Sequence, residues 1–402
     1  MRIVVAISGG IAAYKAPLLV RLLKAQGHDV RCATTPHALQ FVTKATLETV
    51  SGAPLYYDLF DSSNSHSTEH ISLKDWAQLV IVAPATANII GKMACGIADD
   101  AVSTLLLSAS HKPLFVCPAM NDDMWMNPAL QRNIDLLRQA GVILFGPEQG
   151  ELACGSSGIG RMVEPEEIVR RLSFYIDDDG NFARPPKLDI RVLITAGPTY
   201  ERIDPVRFIG NYSSGKMGLA IANTLALYGA KVELVAGPIG NSLHCDPLIH
   251  RTDVESANEM YEAAMAAFPS CDAAILTAAV ADYRPMNQAD QKIKKTGDDG
   301  LCIQLVQNPD ILASLGRIKT SRQKLIGFAL ETNNEFSNAQ AKLEKKNLDY
   351  IVLNSLRDKG AGFAVDTNKV TIISRDGSSW SSPLKTKQAI AKDIVTRCLM
   401  TS

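Results

Sequence analysis

The sequence predicts an α/β protein built from two doubly wound, Rossmann-like domains in series. Short apolar runs such as RIVVAI (2–7), LVIVAP (79–84), RVLITAG (191–197) and AAILTAA (273–279) alternate with helix-length amphipathic segments. That alternation is the pattern of parallel sheets covered by helices. At 402 residues the chain exceeds what one core ordinarily organises. Residues 176–189, IDDDGNFARPPKLD, join an acidic run to Gly and Pro-Pro, and a fresh strand begins directly after them. This is linker composition. The expected domains are therefore residues 1–180 and 190–402.

Taken in order, RIVVAI leads through SGG into a helix that ends near Gly27. HDVRCATT (28–35) is the next strand, with Thr35-Pro36 placed to cap and open a helical turn. LVIVAP and LFVCPAM (114–120) read as buried strands ending in Pro and polar residues, and VILFG (142–146) as another. The Gly-rich run that follows to 160, GPEQGELACGSSGIG, has the composition of a loop and reads as a flap. Past the linker the alternation resumes with RVLITAG, KVELVAG (231–237), AAILTAA, LIGFAL (325–330) and DYIVLN (349–354). A hairpin turn is expected at Arg375-Asp376-Gly377 and a helix over 386–399.

Composition excludes several function classes. With 41 basic against 42 acidic residues there is no basic field to draw the chain to nucleic acid, although small anions need only a local patch. The eight cysteines lie at 32, 95, 117, 154, 245, 271, 302 and 398, none within four residues of another. That spacing offers neither a zinc ribbon nor a CxxC pair, and reduced thiols fit a cytoplasmic protein. No apolar run approaches membrane-spanning length. The opening MRIVVAISGGIAA breaks at Gly9-Gly10 and meets Lys15, so it reads as a strand and loop rather than a signal segment.

Ligands of open α/β sheets gather at the carboxyl ends of strands, where helix N-termini and loop N–H groups are exposed. Here those ends carry Ser8-Gly9-Gly10, Thr34-Thr35 and Pro84-Ala85-Thr86-Ala87-Asn88. Small residues let backbone approach a phosphate, and hydroxyls add neutral donors. SGG alone equally describes a tight turn, and the absence of GxGxxG disfavours a nicotinamide dinucleotide. The combination of PATAN, DDAVST (99–104), PAMN (118–121) and His70 in EHISLKDWA resembles the flavin-dependent cysteine decarboxylase family. ACG with Cys154, followed by GIGRM, resembles the substrate flap of its phosphopantothenoylcysteine decarboxylase branch. The resemblance implies FMN held at the edges of an oligomer, with contacts at Ser8, Gly9, Gly10, Thr34, Thr86, Asn88 and Ser103. It also implies that His70 is the acid/base residue, Asn121 holds the departing carboxylate and Cys154 donates a proton. Histidine suits that work because its ordinary pKa lies near neutrality. Read without the resemblance, His70 is an exposed or capping residue with His66 as a rival, and Asn121 caps the next helix. One departure is that the family's PASANT reads PATANI, with Ile89 where a hydroxyl is usual.

The second half continues the likeness. IGNYSSGKMG (209–218) opens a helix but lacks Walker spacing, and TAAVADYRPMNQADQKIKK (277–295) ends in a lysine cluster. Over its whole length the chain resembles the bacterial bifunctional phosphopantothenoylcysteine decarboxylase/phosphopantothenate–cysteine ligase family of coenzyme A biosynthesis. That resemblance implies CTP, 4'-phosphopantothenate and L-cysteine as substrates, with Mg²⁺ accompanying the nucleotide. It assigns Asn211 and Arg207 to the acyl-cytidylate and Lys292, first of KIKK, to its formation. Leu276, Thr277, Ala278 and Asp282 are assigned to the nucleotide, as are Asn308, Pro309, Asp310, Ile311, Leu312, Phe328, Lys342 and Lys346. Lys342 and Lys346, at i and i+4, would share a helix face, as they would on any amphipathic surface helix. A dodecamer of decarboxylase trimers and ligase dimers is implied, with metal ligands left open. The alternatives are a flavin-binding regulatory subunit fused to a ligase and a two-domain nicotinamide oxidoreductase.

Overall fold

The computed structural model describes residues 1–60, 69–151, 155, 157–177, 179–240, 245–246, 248–294, 301–331, 335–355 and 365–400. His66, Cys154 and Lys295 fall outside these described residues. The chain divides into two compact units, Met1–Arg184 and Pro185–Ser402.

The first unit is built on β1 (Arg2–Ile7), β2 (Asp29–Thr34), β3 (Leu79–Ala85), β4 (Leu114–Pro118) and β5 (Ile143–Leu144). They lie in the order β2-β1-β3-β4-β5, every pair parallel. Alternate side chains of a strand face opposite sides of the sheet, so a strand covered on both faces is apolar throughout. In β1, Ile3, Val5 and Ile7 enter one core cluster while Val4 and Ala6 enter the other. Helix α1 (Ala16–Ala25) packs Leu19, Val20 and Leu23 into the first cluster, beside α2 (Lys44–Ser51). Helices α3 (Glu69–Trp76), α4 (Ala87–Cys95), α5 (Ala101–Ser108) and α7 (Pro128–Gln139) cover the opposite face with Leu73, Ile90, Leu105 and Ile134. The one-and-a-half-turn α6 (Asp122–Met126) precedes α7. The Gly-rich run expected to be a loop instead forms, over its described residues, an antiparallel ribbon of β6 (Glu148–Glu151) and β7 (Ser157–Arg161). Helix α8 (Pro165–Leu172) then returns Ile168, Val169 and Leu172 to the α1 side.

In the second unit β8 (Arg191–Ala196) pairs in parallel with both β11 (Lys231–Ala236) and β13 (Ala273–Leu276). β12 (His250–Asp253) extends the sheet on the β11 side; β16 (Lys324–Glu331) and β17 (Tyr350–Ser355) extend it beyond β13. Two ribbons leave the sheet, β9 (Tyr200–Arg202) with β10 (Phe208–Gly210) and β14 (Tyr283–Pro285) with β15 (Leu305–Gln307). β18 (Thr367–Asn368) pairs with β21 (Lys385–Thr386). β19 (Val370–Ser374) and β20 (Ser379–Ser381) finish the sheet as the expected hairpin, where Gly377 takes φ +84°. Helices α9 (Lys216–Leu227), α10 (Ala257–Ala267), α11 (Ile311–Ile318) and α12 (Glu335–Lys345) make the crossovers, and α13 (Lys387–Val395) packs on α9.

Each sheet has a place where successive crossovers leave in opposite directions. In the first unit it lies between β1 and β3, and in the second between β8 and β13. Such a switch point opens a crevice at the strands' carboxyl ends. In the second unit Gly218 keeps α9 close to that crevice. A Cβ there would lie 2.5 Å from both the Ala196 Cβ and the Thr277 Oγ. Gly218→Ala should therefore overpack the contact and cost about 1–3 kcal/mol, read as a lower denaturation midpoint of the second unit with the first unit's transition unmoved.

Candidate functional sites

At the β1/β3 switch point the strand ends are tied together by one hydroxyl. Ser8 Oγ donates to the Pro84 carbonyl (2.8 Å) and accepts from the Thr86 N–H (2.9 Å). Thr86 in turn caps α4, its Oγ1 accepting from the Ile89 N–H. Ile89, the departure from the family pattern, is buried in the core. Beside this junction opens a cavity of about 630 Å³ whose wall includes Gly10, Lys15, Thr86, Asn121, Glu151 and Arg161. Asn121 both lines the cavity and caps α6, accepting from the Asp123 N–H at 2.9 Å. The capping expectation and the wall position thus coincide.

Two glycines let the β6–β7 ribbon close one side of this cavity. A Cβ on Gly160 would lie 2.2 Å from the Met120 carbonyl oxygen, and one on Gly158 would lie 2.4 Å from Asp122 Oδ2. The Met120 N–H donates to the Gly160 carbonyl at 3.0 Å. The ribbon therefore lies directly on the Asn121 turn. The wall cations were not singled out in the sequence. Lys15 is 8% exposed and donates to Glu164 (2.8 Å) and to the Met162 carbonyl (3.3 Å). Arg161 also pairs with Glu164. Burial raises the Glu164 pKa, but the hydrogen bonds from Lys15 and Arg161 outweigh it and hold the carboxyl below its ordinary value. The only sequence signal for Lys15 was a cation inside the apolar run IAAYKAPLL.

The remaining residues expected to hold FMN are placed less uniformly. Thr34 pairs in register with Ile7, which puts it and Thr35 beside the Ser8-Gly9-Gly10 turn. Both threonine hydroxyls are buried without a partner among the described residues. Unsatisfied donors beside a small-residue turn suit a phosphate, so this end of the sheet fits a flavin mononucleotide. Gly9 leaves room for the turn after β2, since a Cβ there would lie 2.4 Å from the His37 Cβ. Asn88 is exposed on α4. Ser103 is fixed in the α5 capping box with Asp100, its hydroxyl taking the Asp99 and Asp100 N–H groups. His70 sits half-buried on α3 and is not part of the cavity wall.

At the β8/β13 switch point the expected nucleotide residues converge. A cavity of about 200 Å³ is walled by Leu276 and Ala278 at the end of β13, by Asp282, and by Asn308 to Leu312 where α11 begins. Val280, Phe328 of β16, Lys342 of α12 and Lys346 just past it also line the cavity. Thr277 turns away, donating to the Thr195 carbonyl at 2.7 Å. Asn308 is held at both ends of its amide, by the Ala281 carbonyl (2.8 Å) and by Arg284 (3.0 Å). Arg284 was not foreseen. Asp310 caps α11 and receives Lys346 at 2.7 Å. Burial raises the Asp310 pKa, yet the Lys346 and Ala313 hydrogen bonds bring it below the ordinary value. Lys342 donates to the Phe328 carbonyl at 3.1 Å.

Asn211, Arg207 and Lys292 lie outside the wall. Asn211 reaches it through the Val280 carbonyl (2.9 Å). Arg207, expected to meet substrate, is paired with Asp204 and with the Ile293 carbonyl (2.7 Å). Lys292 is exposed, next to that tethered residue. Burial raises the Asp204 pKa, but Arg207 and three backbone N–H groups outweigh it and hold the carboxyl far below its usual range. Its contribution is therefore present above the ordinary carboxylate pKa and lost only as pH falls through the depressed value. Among the described residues no group of three or more His, Cys, Asp or Glu could hold a metal ion. None of their helices is long and apolar enough to cross a membrane.

Two family descriptions match the chain: "Flavoprotein" over residues 1–174 and "DNA/pantothenate metabolism flavoprotein C-terminal domain" over residues 188–401. A cysteine/cysteine sulfinic acid decarboxylase from an unknown prokaryotic organism is 49% identical, over 89% of this chain and 99% of its own length. The coenzyme A biosynthesis bifunctional protein CoaBC of Vibrio vulnificus (strain YJ016) is 44% identical, over 98% of this chain and 96% of its own. That of Escherichia coli (strain K12) is 43% identical, over 98% and 97%. The chain belongs to the family of bifunctional coenzyme A biosynthesis proteins, which join a flavoprotein half to a pantothenate-metabolism half.

Proposed function

We propose that the chain carries out two steps of coenzyme A biosynthesis. The second unit ligates 4'-phosphopantothenate to L-cysteine with CTP, and the first decarboxylates 4'-phosphopantothenoylcysteine to 4'-phosphopantetheine. The observation that carries this reading is the cavity of the second unit: the residues expected at the nucleotide, Thr277 excepted, are scattered from Leu276 to Lys346 yet wall one crevice at a switch point. Loop backbone and lysines there suit a triphosphate. In the ligation, the carboxylate of 4'-phosphopantothenate attacks the α-phosphate of CTP and pyrophosphate leaves. The amine of cysteine then displaces CMP from the acyl-cytidylate. Lys342, Lys346 and Lys292 offset the negative charge, and Asn211 and Arg207 stand at the acyl end. Mg²⁺ comes with the nucleotide, bound mainly by its phosphates.

In the first unit, Ser8, Gly9, Gly10, Thr34 and Thr86 would hold FMN at the strand ends. Bound FMN supplies the two-electron chemistry that makes the cysteinyl carboxylate able to leave as carbon dioxide. Asn121, fixed by its capping bond, holds that carboxylate against the ribbon. His70 and Cys154 move protons. His70 does not line the same chain's cavity, and apolar residues on its rim are exposed, Ile11 by 56% and Tyr14 by 62%. Both facts support a homo-oligomer in which a second copy covers the cavity. Exposed Val206, Phe208 and Tyr212 support a second contact on the ligase unit, as the dodecamer requires. On this reading the protein works in the cytoplasm, where CTP is available.

Incubation of the full chain with 4'-phosphopantothenate, cysteine, CTP and Mg²⁺ should release pyrophosphate and carbon dioxide and yield 4'-phosphopantetheine. Pyrophosphate without carbon dioxide would reduce the first unit to a flavin binder. A second reading comes from the relative at 49% identity, named for action on cysteine or cysteine sulfinic acid. Carbon dioxide from either compound without CTP would favour it. Lys292→Gln should lower pyrophosphate release by about 10²-fold or more, while decarboxylation of supplied 4'-phosphopantothenoylcysteine stays at the native rate. Lys346→Ala should remove a charged contact of about 1.5–3 kcal/mol, weakening CTP about tenfold to 150-fold in a binding titration.

A further inference from the structure

Lys292 is exposed, and its side chain has no element of regular structure to position it. Its neighbour Ile293, however, is held at both backbone groups. The Ile293 N–H donates to Asp204 Oδ2 at 3.1 Å, and its carbonyl accepts from Arg207 at 2.7 Å. Asp204 is 1% exposed. Its Oδ1 accepts the N–H groups of Val206 (2.8 Å) and Arg207 (2.9 Å), and its Oδ2 also takes the Arg207 guanidinium. One buried carboxylate therefore joins the turn between β9 and β10 to a segment 89 residues further along the chain. A third tie runs from the Ala289 N–H to the Ile203 carbonyl at 3.0 Å. Ile293 is half-buried while Lys292 and Lys294 on either side are exposed, so the clamp grips the middle peptide and leaves both ammonium groups outward.

We propose that Asp204 is a positioning residue for cytidylate formation: with Arg207 it clamps the Ile293 peptide and thereby presents Lys292 to the triphosphate. This rests on the ligase reading given above. The effect is one of geometry, since a misplacement of about 1 Å in a reacting or charge-stabilising group costs about 10²-fold in rate. An exposed lysine on an untethered segment would lose that placement. The carboxylate is needed in its ionised form because every group around it donates. The substitution Asp204→Asn would keep one acceptor but turn an NH₂ toward Arg207 and Ile293, donor against donor.

Two measurements on the full chain test this. In Asp204→Asn, trypsin cleavage after Lys292 and Lys294, resolved by mass, should quicken about tenfold or more, as expected when a bond of about 1.4 kcal/mol no longer holds the peptide closed. Cleavage at sites other than Arg207, which the same carboxylate holds, should keep its native rate. Unchanged cleavage at 292 and 294 would overturn the clamp. In the same variant, kcat for pyrophosphate release should fall about 10²-fold while the CTP dissociation constant stays within about threefold. The double variant with Lys292→Gln should be no slower than Lys292→Gln alone, because both changes remove one effect. Fully multiplicative losses would overturn the proposal. Native pyrophosphate release by Lys292→Gln would overturn the ligase reading beneath it, distinguishable because Asp204→Asn, which keeps Lys292, would still show the faster cleavage after Lys292 and Lys294. Ile293→Pro deletes the same N–H donor with Asp204 intact; because trypsin does not cut a Lys–Pro bond, its signatures are faster cleavage after Lys294 and the same fall in kcat, and they carry the test if Asp204→Asn does not fold.

Discussion

The reversal of strand order beside the first strand of each sheet is the constraint on which the rest depends. Crossovers that leave β1 toward β2 and β3 toward β4 cannot both cover the gap between β1 and β3. The carboxyl ends there stay open and must be finished by short polar groups. Ser8 does this in the first unit by joining the ends of β1 and β3. In the second, the Thr195 hydroxyl accepts from the Ala278 N–H, and its carbonyl takes the Thr277 hydroxyl. Each sheet thereby gains a crevice walled by loop backbone and helix starts, surroundings that suit phosphate-bearing ligands.

A second regularity concerns charge. Several cations in or beside the crevices have carboxylate partners: Lys15 and Arg161 share Glu164, Lys346 meets Asp310, and Arg207, outside the wall, meets Asp204. For buried Lys15 and half-buried Lys346, burial of the cation alone is costly, and a hydrogen-bonded carboxylate offsets that cost. The carboxylates also tie segments together. Asp310 caps a helix while holding a lysine from the next, and Asp204 spans two loops. Position and charge are thus set by the same residues.

Much of this was legible in the sequence, for physical reasons that differ between elements. The main strands are apolar on both faces and bounded by Gly, Pro and polar residues, so their alternation with helices was plain. The hairpin at Gly377 followed from turn chemistry. The nucleotide wall was legible only through family likeness, because Asn308-Pro309-Asp310 and Phe328 meet by topology rather than by spacing. The β6–β7 ribbon was hidden by its own glycines: Gly158 and Gly160 look like loop composition, yet they are small because the Asn121 turn lies against them. Lys15, Arg284 and Asp204 were missed because their partners are distant in sequence. Glu164 lies 149 residues from Lys15, and Ile293 lies 89 from Asp204.

The central claim is that each switch point holds its own ligand and its own chemistry. A crystal structure of the full chain grown with FMN and CTP tests it most directly. The account predicts flavin at the ends of β1 and β3 beside Thr86 and Asn121. It predicts CTP at the ends of β8 and β13, with its triphosphate toward Lys342 and Lys346. Nucleotide bound away from the β13 end, or flavin absent from the β1/β3 crevice in protein that copurifies with it, would contradict the account.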